Sequence, residues 1–230
     1  RQKALQIGAD TSLSASQATK AFEALVSNGV AVDAQFNKTA DATVALSEAT
    51  GSDLRTAANV TTDVIQNFAG AGEDLNAVIN GITGVTVAGK FGINDYRLAL
   101  SNGGVQVAQL GVSLKDFNAV IAATSSAFNS GQTAGTAFRT FIQNLTPSTQ
   151  PAIDAMKELG LITENGTNIF YDQFGALKSQ SEIFGILQEK FKGLTEEQIS
   201  MYASTLFGAD GATILTKAVQ LGSKGLDEYA

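Results

Sequence analysis

The feature that most constrains this 230-residue chain is the return of apolar residues at three- and four-residue intervals, in short runs separated by glycines and capping residues. Such spacing lines one side of an α-helix, whose turn takes 3.6 residues, whereas a half-buried strand alternates every second residue. Leu54, Ala57, Ala58, Thr61, Val64, Ile65 and Phe68 form a stripe of this kind, as do Leu114, Phe117, Ile121 and Phe128. Ala134, Phe138, Phe141, Ile142 and Leu145 form another. Ala18, Phe22, Leu25 and Val26 make a short stripe, and Val32, Phe36, Ala40 and Thr43 a weaker one. Beyond residue 180 come Ile183, Phe184, Leu187 and Phe191, then Ile199, Tyr202, Ala203 and Leu206, then Ile214, Leu215, Ala218 and Leu221. The pattern predicts a mainly α fold, a multi-helix domain of short packed helices. The stripes containing Phe117, Ile121, Phe138, Phe141 and Leu145 should be buried together.

Local chemistry marks where these helices begin and end. Ser14 with Gln17, Ser113 with Asp116 and Thr195 with Gln198 each place a hydroxyl before a helix and an acid or amide three residues on. That spacing lets each side chain take up an N–H group that the first turn leaves unpaired. Gly29, Gly51 and Gly160 follow apolar stripes, where a left-handed residue commonly ends a helix. Pro147 and Pro151 bracket a break after Leu145, with a short helix expected over 152–159.

One segment departs from helical spacing. Residues 161–171 are β-branched or aromatic on either side of Asn165-Gly166, and Asn-Gly suits the positive φ angles of a tight turn. This predicts one small β-hairpin near 161–171, packed on the helices through Ile162, Ile169 and Phe170. The region 81–92 carries Gly81, Gly84, Gly89 and Gly92, and glycine costs a helix about 0.5–1 kcal/mol relative to alanine. It therefore reads as a loop or a loosely held helix, with Gly103-Gly104 a second joint. The break at 146–150 suggests a helical core subdomain over 1–145 and a hairpin-plus-helices subdomain over 146–230, or one continuous domain. The chain starts at Arg1 and carries no signal peptide, so it reads as a fragment of a longer protein.

Composition narrows the chemistry. Without Cys there are no disulfides and no thiolate metal sites. Without His the usual neutral-pH general base and the commonest metal ligand are missing. The 22 acidic against 15 basic residues give a net charge of −7, with no dense cationic run. Specific nucleic-acid binding, which needs clustered cations, is not expected. No apolar run approaches the roughly 18 residues of a membrane span. The glycines of 81–92 lack the Lys-Ser/Thr ending of a phosphate loop. Asp172 and Asp210 lack the alternating carboxylates of a calcium loop, and Asp172 is better suited to ordering a turn. Glu196-Glu197 falls in a first helical turn, where the helix dipole favours negative charge. No catalytic, cofactor or metal residue is expected. Gly131 and Gly135 form a Gly-x-x-x-Gly; beside Gln132, Thr133 and Arg139 it reads as a contact between soluble helices.

Order and spacing carry a resemblance. Gly111-Val112-Ser113-Leu114 opens a helix, and a small-residue hinge, Gly131 through Ala134-Gly135-Thr136-Ala137 to Arg139, opens the next. About forty residues on come Tyr171-Asp172-Gln173-Phe174-Gly175, then Leu194-Thr195-Glu196-Glu197, then Leu206-Phe207-Gly208. Ala49-Thr50-Gly51-Ser52-Asp53-Leu54 and Phe91-Gly92-Ile93-Asn94 fit more loosely. Together these resemble the core region of phage tail tape measure proteins, with Phe138 where that family more usually has leucine. The resemblance makes Gly111, Ser113, Gly131, Ala134, Gly135, Thr136, Asp172, Gly175, Phe207 and Gly208 structural motif residues. In it, Asp172-x-x-Gly175 closes a strand and Phe207-Gly208 stops a helix.

What the resemblance implies is a non-enzymatic structural component of a phage or prophage tail. Such a protein sets tail length and takes part in tail assembly and genome delivery, in the lumen of the tail tube and, during assembly, in the host cytoplasm. Its implied partners are further copies of itself, tail tube protein, tail chaperones and baseplate or tail-tip proteins, with transient host membrane contact by the full-length protein. The residues alone leave two alternatives open: a non-phage bacterial helical interaction domain, and a cell-wall hydrolase, which the missing His and Cys disfavour.

Overall fold

A computed structural model describes residues 5, 7, 9, 14–33, 35–68, 70–72 and 74–230. Helices make up most of them: α1 (Ala15–Ser27), α2 (Phe36–Thr50), α3 (Leu54–Asn67), α4 (Leu75–Ala88), α5 (Ile93–Ala99), α6 (Val105–Gln109), α7 (Leu114–Thr124), α8 (Gly131–Asn144), α9 (Gln150–Glu158), α10 (Gln180–Lys190) and α11 (Glu196–Asp227). A π-helical turn, Leu100–Gly104, joins α5 to α6 without a break, so 93–109 is one continuous helical run. None of the described helices is long and apolar enough to cross a membrane.

The helix ends follow the side chains that mark them. Ser14 and Thr195 form reciprocal capping boxes with Gln17 and Gln198. Ser113 accepts the Asp116 N–H, but its hydroxyl turns to the Asp116 carboxylate, so half of that box is made. The shorter Asp reaches its neighbour's hydroxyl instead of the backbone. Gly29, Gly51 and Gly160 have positive φ at helix ends, as their positions predict. The stripe at 32–43 is shortened, because Val32 lies outside α2 and is 75% exposed.

The region 81–92, expected as a loop or a loosely held helix, divides between the two: Gly81 and Gly84 lie inside α4, while Gly89 and Gly92 bound the connection to α5. Burial of Val78, Ile79, Ile82 and Val85 on the other side of α4 outweighs the glycine cost. One expectation gives way: the β-hairpin near 161–171 does not form. No strand occurs among the described residues, and Ile162 pairs with Asn168, and Tyr171 with Leu177, only through isolated bridges. The turn at Asn165-Gly166 is present, with Gly166 at φ +81. The arms exchange two backbone hydrogen bonds, Thr163 N–H to the Thr167 carbonyl and Ile169 N–H to the Leu161 carbonyl, and the pairing goes no further. Leu161 and Ile162 N–H both donate to the Met156 carbonyl at the end of α9. The Asn168 side chain donates to the Leu145 carbonyl at 2.7 Å and accepts the Phe170 N–H. Side-chain competition of this kind removes the groups a ladder would use. The segment still packs as expected, with Phe170 fully buried and Ile162 and Ile169 against the core.

One apolar cluster runs from Ala42 in α2 to Leu226 in α11, and so crosses the break at 146–150. Two smaller clusters join α1, α2 and α3, with Phe22 edge-on to Phe36 at 5.7 Å. In the main cluster Phe117, Ile121, Phe138, Phe141 and Leu145 are buried together. Phe117 meets Phe68, Tyr96 and Phe138 at 5.6–6.1 Å, whereas Phe141 stacks on Phe207 at 4.7 Å and meets Phe184 edge-on. Helix α8 thus carries Phe138 to one aromatic group and Phe141 to the other. Truncating Phe141 to alanine should lower stability by about 3–5 kcal/mol, read as a fall in urea midpoint with an unchanged slope. An unchanged midpoint would contradict this packing.

Candidate functional site

The small residues of α8 bring its backbone directly against that of the 93–109 run. Ser130 caps the helix, accepting the Thr133 N–H at 3.3 Å. The Gly131 N–H, which the first turn would otherwise leave unpaired, donates to Asp95 Oδ1 at 2.9 Å. From there α8 lies against the 93–109 run with nothing between the backbones. A Cβ on Gly131 would strike the Asp95 carbonyl, one on Gly135 the Ala99 carbonyl, and one on Gly103 the Gly135 carbonyl. Ala134 is buried between the two glycines. The π-helical turn lies at the same place. Its wider backbone leaves the Leu98 carbonyl to accept from the Asn102 amide at 2.8 Å and the Ser101 hydroxyl at 3.2 Å.

This corrects the reading of Gly131–Gly135 as a hinge. The chain reverses earlier, over 125–130, where a short 3-10 turn precedes the Ser130 cap. Ser125 fixes that reversal: its buried hydroxyl donates to the Ala122 carbonyl and accepts the Lys90 N–H, both at 2.8 Å. The Gly-x-x-x-Gly is a packing notch within one protein.

The remaining motif residues fall in two groups. Phe207 joins the α8 contact by stacking on Phe141, and Gly208 follows it with φ 64 and ψ −176. That conformation is almost closed to residues with a side chain, so the helix breaks there, yet it resumes at once. The expected helix stop is therefore a kink inside α11. Thr136 is half-buried, its carbonyl accepting the Thr140 hydroxyl at 3.0 Å. The other four motif residues lie in exposed turns. Gly111, with φ +93, ends α6, and Ser113 begins α7 two residues later. Asp172 Oδ1 accepts the N–H groups of Phe174 and Ala176, at 2.8 and 2.9 Å, closing a turn with Gly175 at φ +80. Asp172 orders a turn between two bridged residues, Tyr171 and Leu177, and no strand ends there. That turn holds Phe174 out, 85% exposed.

Residues beyond the motif complete the contact. Asp95 and Ser125 each hold a backbone N–H of another segment, and a first-turn Asp or a Ser gives no sequence sign of a partner so far along the chain. Tyr96 and Asn118 are joined by a buried hydrogen bond of 2.7 Å, and burial pushes the Tyr96 phenol well above its ordinary range, so it stays a donor. Asp116 is raised above the usual carboxylate range, chiefly by burial, with the Ser113 hydroxyl and the Gln180 N–H pulling the other way. Among the described residues no three His, Cys, Asp or Glu side chains come together as a metal site. What the arrangement provides is rigid docking of helices.

A family model described as phage-related minor tail protein matches residues 1–208, and the chain belongs to that family. The chain is also 26% identical, over 245 aligned residues, to the tape measure protein of Pneumococcus phage Dp-1. That match covers 99% of this chain and 19% of the phage protein, so the chain spans about a fifth of that relative's length. No solved structure matches.

The contact predicts opposite effects for one substitution at two glycines. Gly135→Ala should cost about 1–3 kcal/mol by forcing α8 off the Ala99 carbonyl. Gly84→Ala, where an added Cβ meets nothing, should stabilise by up to about 1 kcal/mol. Thermal or urea midpoints check both, and equal shifts would sink the close-contact account.

Proposed function

We propose that this member of the phage-related minor tail protein family is the core segment of a tape measure protein. In this reading it is a structural part of the tail that helps set tail length and serves tail assembly and genome delivery. The observation that carries the reading is the match to a named tape measure protein along 99% of this chain. A polypeptide ruler works by length alone: tube subunits add around it until it is covered, so the relevant chemistry is steric fit and repeated weak binding. The packed helices and the backbone-to-backbone notch support a load-carrying role, and a chain without His or Cys lacks the commonest catalytic side chains. It acts without catalysis, in the tail lumen, having assembled in the host cytoplasm. Its partners are its own copies, the tail tube protein, the tail chaperones and the baseplate or tail-tip proteins. Clustered in a tube, copies meet at effective concentrations far above those of free solution.

The test is genetic. In-frame deletions in a long helical part of the parent gene should shorten tails in proportion, by about 1.5 Å for each helical residue removed. Deleting 105–145, which removes α6, α7 and α8, should abolish assembly or infectivity. Tails of unchanged length after the first kind of deletion would remove the reading. Hydrolysis of peptidoglycan or nucleotides by the purified protein would remove the claim that it is non-enzymatic.

A further inference from the structure

The chain holds four Asn-Gly pairs, Asn28-Gly29, Asn80-Gly81, Asn102-Gly103 and Asn165-Gly166. Asparagine is among the chemically labile residues, and a glycine after it offers no side chain to shield the next backbone nitrogen from its carboxamide. For that nitrogen to reach Cγ, the Cα–C bond of the asparagine has to rotate out of its folded setting. The four pairs differ in what such a rotation breaks, so the fold sorts four like sequences into unlike reactivities.

Three of the pairs are held. Asn28, half-buried at the end of α1, donates from Nδ2 to Asn59 Oδ1 at 2.9 Å, and its carbonyl accepts the Gln66 amide at 2.8 Å. Asn102 lies in the π-helical turn and donates to the Leu98 carbonyl, and the Gly103 that follows it is packed on the Gly135 carbonyl. Asn80 is exposed and its side chain has no hydrogen-bond partner among the described residues, but it lies in the interior of α4. Rotation there breaks the helix ladder and displaces the buried Val78, Ile79 and Ile82. Asn165 has none of these restraints. It is exposed, its side chain is likewise without a hydrogen-bond partner among the described residues, and a Cβ on Gly166 would meet nothing within 4 Å. The Gly166 N–H donates to the Thr163 carbonyl at 2.9 Å, an exposed bond that release of this nitrogen breaks. Exposed turns open at little cost, whereas packed helices open with a free energy approaching that of the whole fold.

We infer that Asn165 is a modification site, the one of the four that converts spontaneously to aspartyl and isoaspartyl forms in the folded protein. The Gly166 nitrogen, having given its proton to a solvent base, attacks Asn165 Cγ. The bond from Cγ to Nδ2 breaks, and that nitrogen takes a proton from solvent and leaves as ammonia, so that a cyclic imide remains. Water then opens the imide. Cleavage between the Gly166 nitrogen and Cγ leaves an aspartate at position 165; cleavage between that nitrogen and the backbone carbonyl carbon leaves an isoaspartate, whose chain runs through Cβ and Cγ. One water is consumed and one ammonia released, with no oxidant or reductant. Either product adds a negative charge beside Glu164 to a chain whose net charge is −7. The isoaspartyl form also lengthens the backbone inside the turn and so breaks the bond from Gly166 to Thr163. The change stops there, because the arms run into the buried Leu161 and Phe170. The reaction is independent of the ruler role.

Peptide mapping by mass spectrometry of the whole 230-residue chain, aged at mildly alkaline pH, reads all four pairs in one sample. In the folded chain Asn165 should convert at least about tenfold faster than Asn28, Asn80 and Asn102, the spread expected where one site opens locally and the others do not. In concentrated guanidinium chloride, where no fold protects any pair, the four rates should converge. Asn80, also exposed and unpartnered, is the internal control for backbone conformation. Equal rates at Asn80 and Asn165 in the folded chain would overturn the inference, and so would an Asn165 that converts only in guanidinium chloride. The Asn165→Asp variant carries one product from the start. It should keep the circular dichroism and the urea midpoint of the parent, and a lowered midpoint would overturn the confinement of the change to the turn.

Discussion

The contact on which the rest of the structure depends is the approach of α8 to the helical run 93–109 with no side chain between them. Gly131, Gly135 and Gly103 are placed where any Cβ would collide with a carbonyl, and the Gly131 N–H is held by Asp95. Distance between two helices is normally set by the side chains that interdigitate, and gives room for adjustment. Here it is set by backbone atoms, so α8 has one available position. From that position Phe138 reaches Phe117, Phe141 reaches Phe184 and Phe207, and the two aromatic groups become parts of one core.

The same geometry bears on function. A part that is to hold its shape in a crowded assembly gains from contacts that allow no gradual slippage, and close-packed interiors transmit strain for this reason. The flexible-looking features of the sequence, its many glycines, mostly serve closeness and turning. Gly208 and Gly222 are the exceptions, two non-helical positions that bend α11, and Phe207, beside the first, stays stacked on Phe141. The outer surface keeps fewer specific features: a presented Phe174, and the exposed turn at Asn165-Gly166.

Much of the fold was legible because it is written locally. Capping at Ser14 and Thr195, the left-handed glycines 29, 51 and 160, and each long apolar stripe depend on residues a few positions apart. What failed depends on partners far along the chain. Gly81 and Gly84 left a loop and a loosely held helix both open, because the helix that contains them is held by burial on its opposite side. The expected hairpin stops after two backbone hydrogen bonds between its arms because the Leu161 N–H goes to the Met156 carbonyl, and the Asn165-Gly166 turn survived because its own four residues suffice. Gly131 and Gly135 were identified as a helix contact, but the chain reversal assigned to them belongs to 125–130, where Ser125 gains its meaning from Lys90. Asp95 and Asn118 carried no sequence sign at all.

If α8 joins both sides of the break at 146–150 into one cooperative unit, native-state hydrogen exchange decides the matter most directly. Slowly exchanging amides open with the free energy of the unit they belong to. One common opening free energy is expected for the amides of 117–121, 138–142, 183–187 and 214–218, with a parallel fall in all four when Phe141 is truncated. Segments 183–187 and 214–218 opening at a lower free energy than 117–121, and independently of it, would contradict the account.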